Sequence, residues 1–332
     1  MPYEEKVSMK RAKFLLWLSM VLIGLSACQP SAQSERQPLR LEYTNWWGDY
    51  TAIIAQEQGF FAKHGVPVEL IPYDVFSRAL PDLAAGKIDV GLFGISDVLS
   101  VARRVPLKAV AVYDLGGEST VVATPDIQSV ADLAGKTISV PAGGSTYELF
   151  IREMLKTANL SLEDVTLVTA DPEILPERLG TDLQAGYTWE PYTTSLLKTG
   201  NRTLYTSRDT RLFPDIITVR ADVARDRPED VKALLRAWFE ALEYRRTNPV
   251  ESNAIIARVT GLPLEEITLG QETILLQDVA DNLALYALNP GDNTDSIHYT
   301  ARTNLEYQIN LGTASQPIDL NQLLDSSYLP QP

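Results

Sequence analysis

Residues 77–93, SRALPDLAAGKIDVGLF, hold the passage from helix to strand that decides the fold class. Ser77 to Ala85 reads as a helix stopped by Gly86. Ile88 to Phe93 is a short apolar run with one aspartate, the pattern of a strand covered on both faces in a parallel sheet. Downstream, Ser96 to Arg103 predicts a helix and Leu107 to Tyr113 a strand. Upstream, Leu39 to Thr44 alternates Leu39, Leu41 and Tyr43 with polar partners, a half-buried strand. Tyr50 to Gln58 then predicts a helix ended by Gly59, and Val66 to Pro72 a second strand. Strand, helix and strand in repeated succession argue an α/β fold.

Past Gly116-Gly117 the pattern begins again, with strands predicted at Thr120–Thr124, Thr137–Val140, Val165–Thr169, Leu183–Thr188 and Thr203–Thr206. A helix is expected over Ser145–Ala158. After Pro214 comes a last strand, Ile216–Val219, and then helices dominate. Val231, Leu234, Leu235, Trp238 and Leu242 share one helical face, which places Trp238 in the core. Helical patterns recur at Val250–Val259, Leu264–Ala287 and Thr300–Gln308.

The chain has 332 residues, 45% hydrophobic and 22% charged, an ordinary globular balance. Its formal net charge of −14 repels phosphate backbones, which argues against nucleic acid as a partner. A single cysteine excludes an internal disulfide and a multi-cysteine metal site. The two histidines, His64 and His298, lack ligand-like spacing, so neither metal nor cofactor is expected.

Lys10, Arg11 and Lys13 precede an apolar stretch from Phe14 to Leu25. At 1.5 Å per residue it covers about 18 Å, too short for a bilayer core of about 30 Å. A basic start, a short apolar run and small residues describe an export signal, for which Met9 is the better start because Glu4 and Glu5 sit badly in a basic region. Leu25-Ser26-Ala27-Cys28 resembles the bacterial lipobox, and the lone cysteine is then the acylated residue. Residues 1–28 are read as a lipoprotein signal peptide, and 29–37 as a flexible tether.

Four further pieces carry a resemblance along the mature chain: Gly59-Phe60-Phe61 through Gly65-Val66; Leu83 through Val90; Asp132-Leu133-Ala134-Gly135-Lys136; and Thr188-Trp189-Glu190-Pro191-Tyr192. In that order they resemble the substrate-binding proteins of nitrate/sulfonate/taurine-type ABC transporters, which share their fold with thiamine-pyrimidine binders. The resemblance implies a two-lobed periplasmic-binding-protein-like fold (type II), each lobe a mainly parallel sheet flanked by helices. Residues 38–117 and 216–332 would form lobe one, and 118–215 lobe two. It also implies a monomer that captures a small-molecule solute, meets an ABC permease and ATPase, and touches the membrane only through its lipid.

In open α/β sheets ligands sit beyond the carboxyl ends of strands. That rule selects Trp46, Tyr50, Ser96, Asp97, Glu118, Ser119, Ser145, Thr146, Trp189, Glu190 and Asp215 as candidate ligand-binding residues. Ser145 has a second reading as the cap of its helix with Glu148, and Ser96 and Asp97 face the same choice. One of the adjacent Trp46 and Trp47 should face the cleft and the other the core; Trp46 is favoured for the cleft. The selected segments contain Asp49, Asp97, Glu118 and Glu190 but no lysine or arginine. A dianion calls for charge-assisted donors, so a nitrogen-containing organic solute fits better: a taurine-like zwitterion, an amine or a pyrimidine-like ring.

Two other readings share the fold. A solute-sensing lipoprotein would need the same clamp. Enzymes of thiamine-pyrimidine synthesis use a cysteine-rich motif, whereas the one cysteine here is committed to the lipobox; menaquinone-pathway enzymes are cytoplasmic, against the export signal. No Gly-x-Ser-x-Gly, His-Glu-x-x-His or P-loop motif occurs, so no catalytic residues are assigned.

Overall fold

Ten strands are formed among the described residues: β1 (Leu39–Tyr43), β2 (Val68–Pro72), β3 (Val90–Gly94), β4 (Leu107–Asp114), β5 (Thr120–Ala123), β6 (Thr137–Val140), β7 (Thr166–Thr169), β8 (Ala185–Thr188), β9 (Arg202–Thr206) and β10 (Asp215–Arg220). The computed structural model describes residues 36–116, 119–141, 145–207, 212–271, 274–287, 295–312 and 318–331. The chain divides after Gln37, and all ten strands belong to Pro38–Pro332. The signal peptide, Cys28 and most of the tether lie outside the described residues.

The strands make two five-stranded sheets, ordered β2-β1-β3-β10-β4 and β7-β6-β8-β5-β9. In the first, β1 runs parallel to β2 and β3, while β10 pairs antiparallel with both β3 and β4. In the second, β6 runs parallel to β7 and β8, and β5 pairs antiparallel with β8 and β9. Each sheet is thus mainly parallel with one reversed strand. That strand is the one formed immediately after the chain arrives from the other sheet. Its first residues therefore lie level with the carboxyl ends of its neighbours: Asp215 pairs with Gly94 and Asp114, and Thr120 with Thr188. This topology puts an antiparallel entry point at the ligand-binding edge of both sheets.

The burial pattern follows the residues. Leu39 and Leu41 of β1 are fully buried on one face, and Arg40 points out to a bidentate pair with Asp89 at 2.6 and 2.9 Å. Helix Pro228–Thr247 lays Val231, Leu234, Leu235 and Trp238 against the first sheet, and Trp238 meets the Tyr113 ring edge-on at 5.5 Å. Trp238 is only 1% exposed, as its helical spacing requires.

The continuous helical pattern over Leu264–Ala287 breaks into helices Leu264–Gln271 and Val279–Ala287. Between them residues 274–278 are drawn out, bridging to β4 at Leu276. The Leu275 amide donates to Asp114 Oδ1 at 3.0 Å, and the Gln277 amide to the Tyr113 carbonyl at 3.0 Å. Asp278 and Asp281 then exchange amide-to-carboxylate hydrogen bonds at 2.9 and 3.0 Å, which starts the second helix. Tertiary partners on β4 override a local periodicity here.

Gly116 lies where the chain leaves β4. Its φ of +67° is in the left-handed region, and a β-carbon there would stand 2.7 Å from the Phe213 carbonyl oxygen on the returning segment. Gly116→Ala should therefore combine backbone strain with overpacking and cost about 2–4 kcal/mol, read from the midpoint of a urea unfolding curve.

Candidate functional site

The two sheets face a shared pocket with a cavity volume of about 120 Å³. From the first sheet and its connections come Thr44, Trp46, Asp49, Phe76, Asp97, Tyr113 and Asp215; from the second come Ser119, Tyr147, Tyr187 and Trp189. The division is chemical as well as topological. All three lining carboxylates, Asp49, Asp97 and Asp215, belong to the first side. The second side is an aromatic wall, with Tyr147 4.8 Å from Tyr187 and 6.2 Å from Trp189, centroid to centroid. Phe150 backs that wall, 5.2 Å from Tyr187. No lysine or arginine lines the pocket among the described residues.

The three carboxylates differ in how they are held. Asp49 precedes the helix Tyr50–Glu57 and is fully engaged: Oδ2 accepts from the Thr44 amide and hydroxyl, each at 2.9 Å, and Oδ1 from the Tyr113 hydroxyl at 2.8 Å. Burial nevertheless pushes its carboxyl up to about 7, against those hydrogen bonds. Asp97, in the first turn of helix Ile95–Ala102, is only 8% exposed. Burial alone pushes its carboxyl up to about 7. Asp215 opens β10, and its carboxyl is raised well above the ordinary range by burial and then by Asp114, Asp49 and Asp97; the Trp46 side chain pulls the other way. A β-carbon built on Gly94 would lie 3.3 Å from Asp97 Oδ2 and 3.6 Å from Asp215 Oδ1. Only a glycine leaves that space to the two carboxylates.

Behind the pocket, Asp114 accepts at Oδ1 from the Gly116 and Leu275 amides and is raised to about 6 by burial. Glu42, fully buried on β1, accepts the Leu92 amide at 2.7 Å; burial and then Asp49 keep its carboxyl well above the ordinary range. Arg245, 3% exposed, donates to the Trp47 carbonyl at 2.6 Å and to the Thr51 hydroxyl at 2.9 Å. It supplies the buried positive charge nearest Asp49 and Asp114, although burial lowers its own pKa to about 10.

Of the sequence candidates, Trp46, Ser96, Asp97, Ser119, Trp189 and Asp215 come together on the pocket. Trp46 lines it, while Trp47 is 1% exposed in the core. Ser119 accepts the Tyr187 hydroxyl at 2.5 Å. Two candidates are placed elsewhere. Tyr50 is fully buried and packs edge-on against Trp47 at 5.5 Å, because the first turn of its helix faces the core. Glu190 does not line the pocket; its Oε2 accepts the Thr194 amide at 3.1 Å, capping helix Tyr192–Lys198 behind the cis Glu190–Pro191 bond. Glu118 lies outside the described residues. Ser145 and Thr146 begin the helix Ser145–Lys156 at the level of Tyr147, their side chains outside the described set. Sequence reasoning missed Phe76, Tyr113, Tyr147, Tyr187 and Phe213 as lining residues. Only Tyr113 and Tyr187 carried a signal, as aromatic residues near strand ends.

Among the described residues, no group of three or more His, Cys, Asp or Glu is arranged to hold a metal ion, and no helix is long and apolar enough to cross a membrane. The chain is 29% identical over 257 residues to a provisionally named binding protein of Brucella abortus (strain 2308), covering 75% of this chain and 79% of that one. It is 27% identical over 226 residues to the taurine-binding periplasmic protein of Escherichia coli (strain K12), covering 64% and 70%. In structure it is similar to the periplasmic aliphatic sulphonate binding protein SsuA of Escherichia coli, with a TM-score of 0.70 at 18% identity over 89% of this chain and 92% of that one. The SsuA likeness shows the periplasmic-binding-protein fold, two mixed sheets flanked by helices. Residues 49–252 match the family described as NMT1/THI5 like, more than half of the chain, and this protein is a member of that family.

Proposed function

We propose that this protein is the solute-binding component of an ABC importer, exported, acylated at Cys28, and built to carry a small nitrogen-containing organic solute to a permease and its ATPase. The observation that carries the reading is the pocket: carboxylates on one sheet, an aromatic wall on the other, and no basic residue among the described lining. Clefts of this kind, mostly apolar with a few placed polar groups, hold small ligands. Residues 38–117 with 216–332, and 118–215, act as two lobes that close on the solute by hinge motion. Trp46 and Trp189 stack on it; Ser96, Ser119, Ser145 and Thr146 offer hydroxyls, and Glu118 adds a carboxylate from the crossing. The solute is released unchanged. The chain works as a monomer.

A thermal-shift panel tests the proposal, with taurine, alkanesulfonates, nitrate, pyrimidines, betaine, choline and polyamines as ligands. A true ligand at about a hundred times its dissociation constant adds about 2.7 kcal/mol of stability. Trp46→Ala and Trp189→Ala should each abolish that shift while leaving the ligand-free melting temperature within a few degrees. A shift that persists in both variants places binding outside this pocket.

A further inference from the structure

We propose that Asp97 and Asp215 form a recognition site for a protonated nitrogen, so that the solute is a net cation, an ammonium or amidinium with a flat or apolar body. This rests on the binding-protein reading and narrows it to one class of ligand. Asp97 is 8% exposed, and no described residue donates a hydrogen bond to its carboxylate, yet it lines the pocket. A carboxylate this little exposed and without a protein donor costs the fold free energy, which a donor on a bound solute would offset. Asp215 converges on the same space over Gly94, within 3.6 Å of the point that Asp97 Oδ2 approaches at 3.3 Å. Two carboxylates facing one point, with only the Trp46 side chain acting on Asp215 to lower its pKa, favour a donor-rich cation over a neutral ligand.

Of the other acids nearby, only Asp49 has both oxygens taken; Asp114 Oδ2 and Glu42 Oε2 are buried without a partner, but neither residue lines the pocket. Both oxygens of Asp49 are taken by Thr44 and Tyr113, and Asp114 binds the Gly116 and Leu275 amides. Glu42 binds the Leu92 amide from behind Asp49. Arg245 is directed into the loop at Trp47 and Thr51 and is absent from the lining. Opposite the pair stand Tyr147, Tyr187 and Trp189, and among the described lining residues there is no cation to receive a sulfonate or carboxylate end. That polarity separates a net cation from a zwitterion: the acidic side takes charge, and the aromatic side takes apolar surface or a further share of the cation. The volume of about 120 Å³ is near that of a cavity known to admit a benzene ring, which fixes the size of a usable probe.

The test is a charge series of one shape. Benzamidine, benzamide and benzoate are cation, neutral and anion on the same ring. Each is titrated calorimetrically into the full chain in neutral detergent, at about pH 8, above the value of about 7 to which burial raises Asp97. Benzamidine is expected to bind at least about tenfold more tightly than benzamide, with no measurable heat from benzoate. The preference should collapse in Asp97→Asn and in Asp215→Asn, both nearly isosteric, with circular dichroism reporting that each still folds. Benzoate or benzamide binding as tightly as benzamidine overturns the cation site, as does a benzamidine affinity unchanged in both variants or an absence of benzamidine binding.

A second arm separates this failure from failure of the broader reading. The chain is incubated with a small-molecule extract of cells, desalted and analysed by mass spectrometry. Capture of an anionic or neutral solute overturns the cation site and keeps the binding function. Capture of nothing counts against the binding function itself.

Discussion

Arg245→Met should destabilise the fold by about 3–5 kcal/mol, the cost of removing one partner from a buried charged network. Arg245 sits in the long helix Pro228–Thr247, 3% exposed, and reaches the loop that carries the pocket tryptophan. Its guanidinium donates to the Trp47 carbonyl at 2.6 Å and the Thr51 hydroxyl at 2.9 Å, so it fixes the turn between β1 and the helix Tyr50–Glu57. It also offsets Asp49 and Asp114, whose carboxyls burial raises to about 7 and about 6. Methionine fills similar volume but supplies neither donors nor charge, leaving the Trp47 carbonyl without its donor and removing the positive charge that attracts two buried acids. The loss is read from urea unfolding at about pH 8, and it should shrink at about pH 5, where both acids are protonated in the folded state. A loss below about 1 kcal/mol at the higher pH would mean the acids are not charged against Arg245 in the native protein. Arg245→Lys should fall between the two, because an ammonium cannot span both acceptors.

Much of this fold was legible in the residues, for a reason that also marks where reading failed. Strands such as Val90–Gly94 are covered on both faces and spell that out as an unbroken apolar run. The alternation with helices fixed the α/β class, and Gly116 marked a point where the backbone needs a left-handed turn. The reversed direction of β5 and β10 had no local signature, since periodicity is blind to which way a strand runs. The helical pattern over Leu264–Ala287 is formed at both ends and interrupted between them because Asp114 and Tyr113, distant in sequence, supply the hydrogen-bond partners that hold residues 275–277 extended. In the site, strand-end reasoning selected Asp97 and Asp215, which the topology places on the pocket. It also selected Tyr50 and Glu190, which the structure places in the core and on the start of a helix. The aromatic wall escaped because Tyr147 and Tyr187 become neighbours only when the helix Ser145–Lys156 packs on its sheet.

Asp97→Asn is expected to raise stability at about pH 8 by about 1–3 kcal/mol while removing cation binding, a trade of function against stability. The folded-state carboxyl titrates at about 7, raised by burial, whereas in the unfolded chain it titrates near about 4. A proton is therefore held more tightly by the native state. The stability linked to that proton is fully present below about pH 4 and is lost as the pH climbs through about 7, after which nothing further changes. The shift sets an upper bound of about 4 kcal/mol at 1.36 kcal/mol per unit, and relaxation of the pocket in the charged form reduces it. Asparagine fills the same space and never ionises, so the variant keeps at high pH what the wild type forfeits. Asp49, Asp114 and Asp215 are shifted in the same direction, so the wild type should be more stable at about pH 5 than at about pH 8, and Asp97→Asn should take one group out of that slope. Thermal unfolding across that range measures it: near pH 4 the two proteins should coincide, and at about pH 8 the variant should melt about 2–10 °C higher. A wild type that melts above the variant at about pH 8, with no ligand added, would show that the native protein already neutralises Asp97 with a donor of its own, and the carboxylate would then be structural.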